Sequence, residues 1–252
     1  MPVRSAVKVA AAVLAAGIAA TALAGCYISV GALQHRTKSY SVGGQVQTLV
    51  VNAQVGGVRV TGGDSETVSV TEHITFEHRA PSNTHRVTAG TLVLDSRCPA
   101  LESCGVSYDI TVPRAMTVRV FDNVGTIRLD SLSGQVTAHT NAGDIDLASV
   151  SGPIEISGHA GSILGQHVSS AHAVLRMSAG EIDVTFSAPP ATITATAAVG
   201  SVTLRVPGNV SYAVSASSSV GSVQVSVIRN RASRHVITAN TGTGSVTIQP
   251  DP

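Results

Sequence analysis

Five carboxylates, Asp144, Asp146, Glu155, Glu181 and Asp183, come nearest to chemistry by type and spacing in this 252-residue chain. A pair of carboxyls cleaves glycosidic bonds when one donates a proton to the leaving oxygen while the other activates water. In inverting enzymes the two stand about 6.5 to 9.5 Å apart. Asp144 and Glu181, like Asp146 and Asp183, occupy equivalent positions of an internal repeat, two coils apart. That places their backbones roughly 9 to 10 Å from one another. The same acidic surface has the chemistry to hold a cation. Two observations favour ordinary solvated charge: Arg128 precedes Asp146 in its row and is placed to pair with it, and the chain has no Trp and only seven Phe and Tyr to serve as sugar platforms. No catalytic residue, metal ligand or cofactor site is therefore assigned.

The remaining reactive side chains give the same answer. Nine-residue glycine units invite comparison with calcium-binding β-rolls, but only Gly143-Asp144 has a turn carboxylate, and Gly125-Thr126, Gly134-Gln135, Gly152-Pro153 and Gly161-Ser162 do not. His139, His159, His167 and His172 fall at different offsets of the repeat, and His73 and His78 point to opposite faces of a strand. No Gly-x-Ser-x-Gly elbow is present, and Ser218 and Ser219 read as polar surface. Cys98 and Cys104 form a close pair, which in an exported chain implies one disulfide pinning a small loop.

The N-terminus says where such a chain works. Arg4 and Lys8 precede an apolar run from Val9 to Leu23, signal-peptide length rather than a full span. The run closes on Leu23-Ala24-Gly25-Cys26, which resembles a bacterial lipobox; it implies cleavage before Cys26 and diacylation of that cysteine. Ordinary secretion or an uncleaved anchor helix are the alternatives. The expected organisation is a lipoprotein signal peptide over 1–25, a tether over 26–39 lacking alternation, and one domain over 40–252.

The elements that must position these side chains are set by a glycine beat. Gly125, Gly134, Gly143, Gly152 and Gly161 recur every nine residues, and alternate units resemble one another most, so the true repeat is eighteen. Coils starting at Gly125, Gly143, Gly161, Gly180, Gly200, Gly221 and Gly244 are spaced 18 to 23 residues apart. One inward row is expected to run Ile127, Ile145, Ile163, Ile182, Val202, Val223, Val246, and its neighbour Leu129, Leu147, Gly165, Val184, Leu204, Val225, Ile248. Because the rows persist while the coils lengthen, the extra residues belong in turns near Pro189-Pro190, Pro207-Gly208 and Asn230 to His235. Before Pro113 the strands alternate less regularly, through Val58-Arg59-Val60, Val68 to Val70, Ile74 to Phe76 and Thr91 to Leu94. Outward hydroxyl rows, Thr192, Thr194, Thr196 and Ser215, Ser217, Ser219, read as β-compatible surface with the chemistry to meet a glycan or a protein.

Composition supports extended structure: Val, Thr, Ser, Gly and Ala dominate, and the formal net charge of +1 gives no electrostatic reason to expect nucleic acid. Tyr40-Ser-Val, Val58-Arg-Val, the Cys104 to Pro113 segment and the Gly-x-Ile/Val-x-Leu/Val coils up to Val246 resemble a bacterial adhesin-type domain of unknown function, DUF4097-like, over about residues 40 to 249. The resemblance implies a surface β-solenoid with an adhesive, sensory or scaffolding role, and it supplies no catalytic residues.

The resulting expectation is an all-β, single-domain parallel β-solenoid with an irregular β-rich N-terminal part, held outside the cytoplasm by lipid at Cys26. It is read as non-enzymatic, serving adhesion, assembly or envelope-stress sensing. Its partners would be the membrane through the anchor and an envelope protein or glycan. The alternative is a polysaccharide-active β-helix enzyme using the surface carboxylates. The prolines of Gln249-Pro250-Asp251-Pro252 are expected to cap the last coil and keep the chain monomeric.

Overall fold

The computed structural model describes residues 32–251. Cys26 and the segment read as a signal peptide lie outside them. The described chain is strand and turn throughout, nineteen strands joined in one curled sheet.

The chain opens with β1 (Gln34–Val42), β2 (Thr48–Val55), β3 (Val58–Gly63), β4 (Val68–Phe76), β5 (Ser82–Thr88), β6 (Thr91–Arg97) and β7 (Cys104–Pro113). The regular coils follow as β8 (Thr117–Val124), β9 (Ile127–Asp130), β10 (Val136–Ala142), β11 (Ile145–Ala148), and two long bent strands, β12 (Ile154–Val168) and β13 (His172–Phe186). The last six are β14 (Thr192–Val199), β15 (Val202–Val206), β16 (Ala213–Val220), β17 (Val223–Val225), β18 (Val236–Thr243) and β19 (Val246–Pro250).

Each coil contributes one strand to each of two faces. On the first face the parallel order is β6, β2, β8, β10, β12, β13, β14, β18, β16. On the second it is β7, β3, β9, β11, β12, β13, β15, β19, β17. Strand spacing of about 4.8 Å makes the nine-layer ladder roughly 38 Å long. Strict alternation buries one set of side chains between the faces: Ile127, Ile145, Ile163, Ile182, Val202 and Val246 are fully enclosed, as are Val118, Val136, Leu175 and Ile237. The eighteen-residue register holds, with Ile145 opposite Ile127 on one side and Ile163 on the other.

A glycine column forms the corner between the faces. Gly180 has φ 135°, and a Cβ there would lie 1.7 Å from the carbonyl oxygen of Gly161, so neither the backbone conformation nor the space admits a side chain. The coils lengthen in turns, as expected: the first extra residue lies between Val168 and Ala173, and the later ones in the loops holding Pro189-Pro190 and Pro207-Gly208 and in the segment before β18, while the register of β12 against β13 shifts between Gly165 and Val168.

The structure corrects four expectations. First, the stack does not follow chain order: β18–β19 lies between β14–β15 and β16–β17, so Val246 separates Val202 from Val223 in the inward row. The reason lies in side-chain size. Ile237, Ala239, Val246 and Ile248 fill both sides of a layer and are fully buried, whereas β16, with sequence AVSASSSV, has little to bury and suits the terminal position. Second, the proline tail is not a cap, because Pro250 stands inside the stack opposite Val206. Third, the sheet is mixed rather than wholly parallel: β4 runs antiparallel to β7, β1 to β4, and β5 to β6, which closes the N-terminal end. Fourth, strand structure reaches back to Gln34, within the segment read as tether. Gln34 to Ser39 show no alternation because this part of β1 is an exposed edge, held by its ladder to β4 rather than by burying a face.

Cys98 and Cys104 are disulfide-bonded, with Cα atoms 5.7 Å apart, and close the loop between β6 and β7.

Candidate functional site

The outward side chains of the two faces form ladders in fixed register. On the second face one row runs Asp109, Arg59, Arg128, Asp146, Leu164, Asp183, Thr203. The expected alignment of Asp146 with Asp183 is present, two coils apart with exposed Leu164 between them. Asp144 and Glu181 align in the same way around Ser162. Most of these carboxylates already have a protein partner. Asp146 is bound by Arg128 at 3.1 Å, Asp183 by Arg205, and Glu155 by Arg176 at 3.2 Å. Asp144 accepts from the amide and hydroxyl of Ser162 at 2.9 and 2.6 Å. A carboxylate engaged by a guanidinium has its oxygens committed to a protein partner rather than presented to a substrate. At the N-terminal side of the row Asp109 is shared by Arg59 at 3.4 Å and His73 at 3.1 Å.

The first face carries a different row: Asp95, Asn52, Phe121, His139, Ser157, Arg176, Thr196, Asn240, Ser217. His139 bonds Ser157 at 2.9 Å, Asn141 donates to Asn123 at 2.6 Å, and the rings of His139 and His159 meet edge to face at 5.4 Å. Phe121 is 42% exposed in the middle of this polar row, an aromatic surface that alternation alone does not reveal because it requires knowing that no element covers the face. Beside it a groove of about 310 Å³ is lined by Asn52, Gln54, Asp95, Ser96, Arg97 and Asn123. The two hydroxyl runs share this face, with β18 between them, so that Ser217 donates to Asn240 at 2.8 Å. Among the described residues no three His, Cys, Asp or Glu side chains gather as a metal site. No helix among them is long and apolar enough to cross a membrane.

Two buried polar groups leave no signal in the sequence pattern. Glu72 is almost wholly enclosed where β1, β4 and β5 meet, accepting from Tyr40 at 2.6 Å and from Asn83, with Lys38 at 4.0 Å. Burial, followed by the bond to Glu72, pushes the Tyr40 hydroxyl well above its usual pKa. Asp122 lies under the corner glycine Gly125, its carboxyl oxygens without a hydrogen-bond partner, in the same inward row as Thr140. Burial pushes its pKa up to about 7.

The sequence model of the family described as Toastrack DUF4097 matches residues 44–249, nearly the whole described domain. The chain belongs to that family. No curated protein matches it. Among solved structures, the Toastrack chain is similar to one described as a "putative cell adhesion protein" from Clostridium sporogenes, at 13% identity over 86% of this chain and 100% of that one, TM-score 0.38. A "putative adhesin" from Bacteroides fragilis matches at 14% identity over 86% of this chain and 97% of the other, TM-score 0.48.

Proposed function

We propose that this Toastrack chain is a non-enzymatic envelope protein, held by lipid at Cys26 outside the cytoplasm, whose rigid ladder serves adhesion, assembly or envelope sensing. The observation that carries the reading is the fixed register of its outward rows, in which Arg128 and Arg205 occupy one of the two carboxylate pairs spaced for hydrolysis, Asp146 and Asp183, while Ser162 binds Asp144 of the other. Such a surface presents side chains at a repeat of about 4.8 Å with little conformational entropy left to lose on binding. The lipobox-like tetrapeptide Leu23 to Cys26 supports the anchor.

The test is retention of purified envelope glycans and membrane-protein extract on the full-length chain in detergent. Capture of a specific protein, or of glycan recovered at its original length, supports the reading. Glycan recovered shortened, with the shortening abolished in an Asp144, Asp146, Glu181, Asp183 quadruple Ala variant, overturns it in favour of a polysaccharide-active enzyme. Radiolabelled palmitate incorporation lost in Cys26→Ser checks the anchor.

A further inference from the structure

The two ends of the ladder are finished differently. At the N-terminal end β4 covers β7 and β5 covers β6, both antiparallel. At the other end the terminal layer, β16 and β17, pairs only inward, with β18 and β19. The amide of Ala213 donates inward to His235, whereas Tyr212 bonds outward to the segment around Arg229. By the alternation of a strand, the backbone groups of Val214 and Ala216 therefore face outward. The inward-row side chains of this layer, Val214, Ala216 and Val225, are only half-buried. Val220 and Ile228 beside them are 65% and 58% exposed. A cavity of about 380 Å³ between Tyr212, Val214 and Arg229 to Arg231 adjoins the open edge.

Charge at this tip is of one sign. Between Asp183 and Asp251 the sequence contains no Asp or Glu, while Arg229, Arg231 and Arg234 crowd the loop before β18. All three are exposed, and none enters an ion pair among the described residues. A second copy is a poor occupant. Tip-to-tip contact would oppose these arginines to themselves, and the free edges at the far end carry His35, Arg36 and Lys38 on β1 and His85 and Arg86 on β5. An anionic lipid surface or polymer would answer the charge but leave the outward amides and the alternate apolar positions unused.

We propose that the β16 edge is a docking site for an extended acidic segment of another protein, which adds to the ladder as a tenth layer. Main-chain bonds to Val214 and Ala216 fix its register, alternate aliphatic side chains cover Val214, Ala216 and Val225, and its carboxylates meet Arg229, Arg231 and Arg234. The proposal rests on the binding-scaffold reading and deepens it.

The probe is a fluorescent ten-residue peptide alternating Val and Glu, titrated by anisotropy into the full-length chain in detergent. Its copy with alternate backbone amides N-methylated serves as the control. Ala216→Pro removes an outward donor without touching an inward bond, so it should leave melting nearly unchanged and weaken binding at least tenfold. A triple Arg229→Gln, Arg231→Gln, Arg234→Gln variant, all exposed positions, should weaken binding similarly and flatten its salt dependence. Absence of peptide binding, equal binding of the N-methylated copy, or undiminished binding to Ala216→Pro overturns the proposal, as does arginine-dependent binding confined to phosphatidylglycerol vesicles. A captured envelope protein that Ala216→Pro retains leaves the scaffold reading standing and removes the tip from it.

Discussion

Arg128 and Asp146, one coil apart on the outer second face, meet at 3.1 Å with the guanidinium exposed and the carboxylate about one-third so. The pair marks the boundary between what the ladder needs and what it tolerates, because Ile145 next to Asp146 is wholly enclosed. Ile145→Asp places an unpaired carboxylate in the core and should cost about 4 kcal/mol or more, enough to unfold a marginal domain. Asp146→Ala should cost under about 1 kcal/mol, as exposed ion pairs do. Urea denaturation of the two variants checks this; equal losses would refute the inward assignment.

Asp122 should make stability depend on pH in an unusual direction. Its folded pKa is raised to about 7, against about 3.9 in an unfolded chain. The proton is thus held more tightly in the folded state. The contribution is fully present below about pH 4 and is lost as pH rises through 7. Asp122→Asn should remove that loss, so its melting temperature should exceed the wild-type value at pH 8, by less at pH 5, and converge with it near pH 4. Parallel melting curves across this range would contradict the buried acid.

The glycine column is the least forgiving part of the fold. Gly180→Ala sets a methyl group against the Gly161 carbonyl in a backbone conformation with φ 135°, and should cost on the order of 3 kcal/mol or more. Gly43, where an added methyl group would meet nothing within 4 Å, gives the contrast: Gly43→Ala should change stability little. Thermal denaturation of both separates corner geometry from a general intolerance of substitution.

The disulfide spans a loop of sequence separation 6. Closing so short a loop restricts the unfolded chain modestly, so Cys98→Ser with Cys104→Ser should cost about 2 kcal/mol and leave the coils after Pro113 intact. Amide exchange resolved by segment would show the loosening confined to β6, β7 and their neighbours.

The regular coils are legible in the sequence because glycine and two inward apolar positions repeat together, and Ile127, Ile145, Ile163 and Ile182 stack in that order. Chain order and spatial order part company where repeats become interchangeable: Val223 and Val246 have the same local pattern, and only the weak burial capacity of β16 distinguishes the layer that ends the stack. β1 is largely invisible to periodicity because Gln34 to Ser39 are all exposed, and only Tyr40 and Val42 at its end pack inward. The alignment of the candidate-site carboxylates is legible, since their register follows from the repeat. Their occupation by Arg128 is readable from the preceding coil, but that by Arg205 is not, because it reaches diagonally from the neighbouring strand.

Finally, β16 and β17 precede in the chain the layer on which they rest. Until Val236 to Pro250 emerge, the open edges of β14 and β15 and the inner edges of β16 and β17 face an empty slot between them. The late segment acts as a keystone, with one insertion satisfying four strand edges at once. Neither of the last two layers can be completed until the end of the chain is in place, and loss of the keystone would strand two layers, not one.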